Sequence, residues 1–137
     1  MRKKILMSVL SVILALSVTA GLTATAQVQM TYLAVGDVCG LIDTSTGIVT
    51  IDADVEGYEG LTTDVSITIN LQYYDTNKSK WVTLDTVWED FYGEWYGEFY
   101  QQWYVSPGYS YRGNVYLTAY YFSIAEAIIM NTQTLVY

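Results

Sequence analysis

Histidine is absent from the 137 residues. That removes the usual general base near neutral pH, the commonest metal ligand and most nucleophile triads. Cysteine occurs once, at Cys39, so an internal disulfide is excluded. With one thiol and no imidazole, no zinc or copper constellation can be assembled. Cys39 is then either a small buried hydrophobe or a free thiol able to pair between chains. Its neighbours Val38, Leu41 and Ile42 favour burial. Basic residues are also scarce, six against fourteen acids.

Three of those six lie at the start, in MRKKILMSVLSVILALSVTAGLTATA. Arg2, Lys3 and Lys4 form a positive segment, Ile5 to Val18 an apolar one broken only by serines, and Ala24-Thr25-Ala26 a cleavage motif. This order is that of a secretory signal peptide. The apolar run is shorter than the ~20 residues of a spanning helix. The expectation is a signal peptide over 1–26, a mature chain beginning at Gln27, and no stable membrane anchor after cleavage. Residues 27–137 then make one domain, large enough to bury a core without disulfides. Only Lys78, Lys80 and Arg112 remain against fourteen acids, a net charge of −11. Phosphate backbones repel such a surface, so nucleic acid is a poor partner.

The mature chain alternates as strands do. Residues 27–35, with Val28, Met30, Tyr32 and Leu33, make a weak first strand or a frayed arm, Gly36-Asp37 a turn, and Val38 to Asp43 a short strand. After the turn cluster Asp43-Thr44-Ser45-Thr46-Gly47, Val49, Ile51, Ala53 and Val55 face one way. A Gly-rich loop over 57–63 leads to the clearest alternation, Val65, Ile67, Ile69, Leu71 and Tyr73. Trp81, Val82, Leu84, Val87 and Trp88 open the next strand. Ser106-Pro107-Gly108 reads as a type II turn. Tyr109 to Ala119 forms a further strand, and Ala125 to Tyr137 a final one. Turn signals at roughly 8–12-residue spacing predict an all-β fold, an antiparallel immunoglobulin-like β-sandwich of about seven strands.

The order Leu71-Gln72, a polar gap, Trp81-x-x-Leu84, Val87-Trp88, Pro107-Gly108-x-x-Tyr111-Arg112 and a trailing Glu126 resembles the small secreted β-sandwich proteins of Gram-positive bacteria catalogued as domains of unknown function. The resemblance covers most of the mature chain. It implies a fold and a bacterial extracellular address, and no catalytic residues. This chain departs from the simpler Ser/Gly-rich sequence of those proteins at Phe91 to Tyr104.

That stretch, FYGEWYGEFYQQWY, repeats an aromatic doublet every four residues. In an extended chain Phe91, Trp95, Phe99 and Trp103 share one face, and Tyr92, Tyr96, Tyr100 and Tyr104 the other. Two interior glycines favour strand over helix, either one long strand or a hairpin turning near Gly93 or Gly97. The Phe/Trp face reads as core. Tyr92, Glu94, Tyr96, Glu98, Tyr100 and Tyr104 are the candidate binding residues. Planar aromatics beside carboxylates suit stacking on sugars. They also suit docking or self-association, and cross-strand aromatic pairs stabilise sheets without any further role.

Other chemistries are poorly served. Glu94 and Glu98 stand ~13 Å apart along a strand, too far for a glycosidase pair. Asp52 and Asp54, ~7 Å apart, have suitable spacing but lie on an ordinary polar strand face. The row Asp52-x-Asp54-x-Glu56 lacks the glycine and spacing of an EF-hand loop. The sequence thus predicts a secreted, non-catalytic protein that binds or associates outside the cell, with no cofactor and no metal. An extracellular protein, a second copy or a glycan are the partners considered, and a carbohydrate-binding module is the alternative function. Tyr111 is placed to reach back to the backbone after its turn.

Overall fold

The computed structural model describes residues 30–137; the expected signal peptide, its cleavage site and Gln27 lie outside them. Eight strands follow in order: β1 Leu33–Asp43, β2 Ile48–Gly57, β3 Asp64–Asp75, β4 Lys80–Tyr92, β5 Tyr96–Tyr104, β6 Ser110–Tyr121, β7 Ile124–Asn131 and β8 Leu135–Val136. Every pairing is antiparallel. One sheet has the order β1-β2-β5, the other β4-β3-β6-β7, with β8 also on β6. No helix occurs among the described residues.

Two-residue periodicity builds the core. On β2, Val49, Ile51, Ala53 and Val55 are buried, while Thr50, Asp52, Asp54 and Glu56 point the other way. On β3, Val65, Ile67, Ile69 and Leu71 are buried, and their β6 partners Val115, Leu117 and Ala119 are buried with them. These residues from both sheets form one apolar cluster. Full burial of each large aliphatic side chain contributes roughly 1.5–3 kcal/mol against conformational entropy. The central strands β2, β3 and β6 carry most of this burial. The turn after β5 closes as its sequence suggests, with Gly108 at φ 88°. Buried Tyr111 donates its hydroxyl to the Ser106 carbonyl at 2.6 Å.

Four expectations need correction, the last of them the aromatic stretch. Gly36-Asp37 is not a turn, because β1 runs unbroken through it. Gly36 faces inward, and a Cβ there would overlap Leu117 on β6 and crowd Ile128 on β7; glycine serves close approach of the sheets. Cys39 is exposed rather than buried. With Gly40 buried and Val38 half-buried on the inner face of β1, alternation turns Cys39 outward, opposite Asp52. The final segment is not one strand. It divides into β7, a bend through Thr132 to Thr134, and the two-residue β8.

The aromatic stretch is neither one strand nor a hairpin. It breaks at Gly93 to Trp95, and the chain passes from the edge of one sheet (β4) to the edge of the other (β5). Gly93 makes the corner at φ 74°, a left-handed conformation that suits glycine. Its N–H donates to the Asp64 carboxylate at 2.9 Å. Beyond the corner, the ring of Phe91 lies against Gly97.

The opposite side of the molecule is tied by one carboxylate. Glu126, on the inner face of β7, accepts hydrogen bonds from the N–H groups of Thr31, Tyr32 and Leu33 at 2.6–3.2 Å. Burial raises its pKa, and these backbone N–H groups outweigh burial and hold it below the ordinary value of 4.5. Such a group stabilises the fold above its unfolded pKa, and the contribution disappears as pH falls through the folded value. Charge-assisted hydrogen bonds contribute about 1.5–3 kcal/mol, and solvent screening at this partly exposed site reduces that to about 1 kcal/mol. We predict that Glu126→Gln lowers stability by about this amount at pH 7. In denaturant melts the difference from wild type should shrink below pH 4.5. An equal deficit at pH 3 and pH 7 contradicts the assignment.

Candidate functional site

The site begins with the edge position of β5. Its register on β2 runs without a shift from Ile48↔Tyr104 to Glu56↔Tyr96. Continuing that register, Gly57 donates to the Trp95 carbonyl at 2.6 Å and Val105 to the Gly47 carbonyl at 2.8 Å. Antiparallel ladders alternate bonded and non-bonded pairs. Gly97, Phe99, Gln101 and Trp103 therefore turn their backbone groups toward β2. Tyr96, Glu98, Tyr100, Gln102 and Tyr104 turn theirs toward the open edge.

Side chains sort in the same way. Gly97 is buried, and Phe99 and Trp103 are half-buried against the core. Tyr96, Tyr100 and Tyr104 are 45%, 65% and 84% exposed, with Glu98 and Gln102 exposed between them. Tyr96 donates its hydroxyl to the Glu98 carboxylate at 3.2 Å. Gln102 donates its side-chain amide to the Thr50 hydroxyl at 3.1 Å.

Of the six candidate residues, the structure brings Tyr96, Glu98, Tyr100 and Tyr104 onto one strand face. It separates the other two. Tyr92 ends β4, in the other sheet, opposite Asp64, and its hydroxyl approaches Asp90 at 3.4 Å. Glu94 is exposed in the connecting corner. The corner takes Tyr92 and Tyr96 to the outer faces of different sheets.

Two features beside the row were not visible in the sequence. One is a line of carboxylates across three strands, in which Asp37, Asp54 and Glu98 are direct cross-strand neighbours and Asp52 and Glu56 follow along β2. Burial, then repulsion from Asp37, Asp52 and Glu98, raises the Asp54 pKa. Among the described residues, no three acidic or thiol groups converge as a metal site would require. The other is a cleft of about 380 Å³ between β4 and the end of β5, bordered by Leu71, Leu84, Asp85, Trp103, Tyr104 and Tyr109. Trp103 donates its indole N–H to Asp85 at 2.8 Å, which fixes the indole at the cleft wall. Tyr104 belongs to both the tyrosine row and the cleft. Leu84 and Trp88 on β4 are exposed.

The carboxylate line gives a test with a definite sign. A raised folded pKa means that ionised Asp54 opposes folding, and that stability falls as pH rises through its titration. Directly opposed like charges on a sheet cost roughly 0.2–1 kcal/mol. Asp54→Asn should stabilise the protein by about that amount at pH 7 and low salt, measured by thermal melting. The gain should vanish at pH 3 and diminish at high salt; a loss of stability at pH 7 contradicts it. No family model, curated protein or solved structure matches this chain.

Proposed function

We propose that this is an exported, non-catalytic domain of the immunoglobulin-like β-sandwich type, acting outside the cell by binding or association through the outer face of β5. The observation that carries this reading is the exposure of Tyr96, Tyr100 and Tyr104 in one row. Side chains that served packing alone would be covered, whereas Tyr100 and Tyr104 are mostly exposed and Tyr96 nearly half so. Phe99 and Trp103, on the reverse side of the same strand, do the packing. The apolar leader and cleavage motif at 1–26 support export. The absence of histidine and the scattering of carboxylates across an open face support a binding role over a catalytic one. Apolar residues of both sheets in one cluster support the sandwich reading.

A carbohydrate-binding module is the second reading. It is favoured by Tyr104, which joins the tyrosine row to an aromatic cleft containing one carboxylate. Such a surface offers flat rings for stacking, with Glu98, Gln102 and Asp85 as polar groups for hydroxyls.

The double substitution Tyr96→Ala, Tyr100→Ala separates function from packing. Exposed positions away from caps and networks usually change stability by no more than about 0.5 kcal/mol, so the variant should melt close to wild type. It should lose concentration-dependent sedimentation, or retention on insoluble polysaccharide, whichever the wild type displays. Retention selects the glycan reading. A variant that unfolds, or that binds and sediments as wild type does, contradicts a role for this face.

A further inference from the structure

Among the described residues, β1, β4, β5 and β7 are the long strands at sheet edges, and three of them carry bulges, inward charges or capped backbone groups that hinder pairing with another strand. On β1, the Val38 N–H donates to the Asp37 carboxylate at 2.9 Å. The Gly40 carbonyl there receives the Gln133 side-chain amide at 2.5 Å. The ladder partnering β4 shifts register at Leu71/Gln72. Asp85 and Glu89 lie opposite the buried residues Leu71 and Ile67, so β4 places two charges on its inner side. On β7, inward-facing Glu126 is bound to the start of β1. On β5 there is neither a register shift nor an inward-facing charge. The strand pairs with β2 over nine residues. It contains no lysine, arginine or proline, and one charged residue, Glu98. Among the described residues, its outward backbone groups meet one side chain, the Gln101 amide, which covers the Gln102 carbonyl at 3.1 Å.

We infer that β5 is a self-pairing edge, joining two copies of this chain antiparallel about a two-fold axis at Tyr100. This deepens the association reading above and rests on it. The sequence of the strand suits a two-fold axis, which requires residue i to face residue j and j to face i. Tyr100 then opposes Tyr100 of the partner, and Tyr96 opposes Tyr104. Glu98 meets Gln102, so the single charge on the strand meets a neutral amide rather than another carboxylate. Tyr96, Glu98, Tyr100, Gln102 and Tyr104 are the residues whose N–H and C=O already face outward. The same register therefore satisfies the backbone and the side chains together.

A register shifted by two residues around Glu98 would place Glu98 against Glu98, and like charges directly opposed are unfavourable. Only the register centred on Tyr100 pairs all nine residues. On the inner side, Gly97 opposes the partner's Trp103, a small residue against a large one. The two three-stranded sheets become one of six strands in the order β1-β2-β5-β5-β2-β1. Paired edges of this length make a contact smaller than a standard interface, so the dimer should form and dissociate with concentration.

Register-specific charge changes at Gln102 test this in the purified protein by analytical ultracentrifugation over a concentration series. Gln102→Glu puts like charges into two symmetric pairs and should weaken dimerisation roughly tenfold in 50 mM salt. Gln102→Lys puts opposite charges there and should tighten it by a similar factor. The tightening should fade in 0.5 M salt. Both substitutions replace the amide that donates to Thr50, and melts on protein dilute enough to be monomeric separate a change in folding from a change in dimerisation. Opposite shifts support the edge pairing. A dimer indifferent to both changes overturns it while leaving association through another surface in place. A monomer at every concentration overturns self-pairing altogether, and the polysaccharide assay then decides whether the tyrosine face binds something else.

Discussion

Burial of alternate aliphatic residues on three central strands is the constraint on which the remainder depends. Ile51, Ile67, Ile69, Val115 and Leu117 are all fully covered. Slipping any of these strands by one residue would turn its whole apolar set outward. The core thus fixes the registers of β2 against β5 and of β3 against β4 and β6. Once β2 commits Val49, Ile51 and Val55 to the interior, Phe99 and Trp103 follow them inward on β5. The tyrosines must then face outward. The exposed row is a consequence of core register rather than an independent design of the surface.

The corner at Gly93 to Trp95 determines how much of the aromatic stretch is available at one surface. It sends Phe91 and Phe99 to the interior from opposite sheets and leaves their tyrosine neighbours on opposite exteriors. The result is a surface of three tyrosines on one edge strand, backed by carboxylates on β1 and β2. Asp37, Asp54 and Glu98 repel one another there. Charge of one sign on the face discourages unselective contact with acidic surfaces, while the neutral Tyr and Gln side chains near the free edge leave that margin open to pairing. The face and the edge are therefore two properties of the same five residues.

The sequence predicted the antiparallel all-β chain and the inward residues of β2 and β3, because each has an uninterrupted period of two bounded by turn residues. It misplaced features that depend on a neighbouring strand. Gly36 looks like a turn in the sequence, and only the approach of Leu117 and Ile128 reveals why a side chain is excluded there. Cys39 sits among apolar neighbours in the chain, yet strict alternation with Gly40 turns it to solvent. The change of sheet inside the aromatic stretch left no trace in its periodicity. Phe91 and Phe99 are eight residues apart, so the same parity serves before and after the corner. The line Asp37, Asp54 and Glu98 joins three distant parts of the chain, and no local pattern could have foretold it.

The central claim is that β5 is a separate edge strand whose even-numbered residues face outward in both backbone and side chain. Residue-resolved amide hydrogen exchange, followed by NMR on dilute protein, tests it most directly. Slow exchange is expected at Gly97, Phe99, Gln101 and Trp103, whose N–H groups bond to β2. Fast exchange should alternate with it at Tyr96, Glu98, Tyr100, Gln102 and Tyr104. Uniform protection or uniform exchange across these nine residues would contradict it.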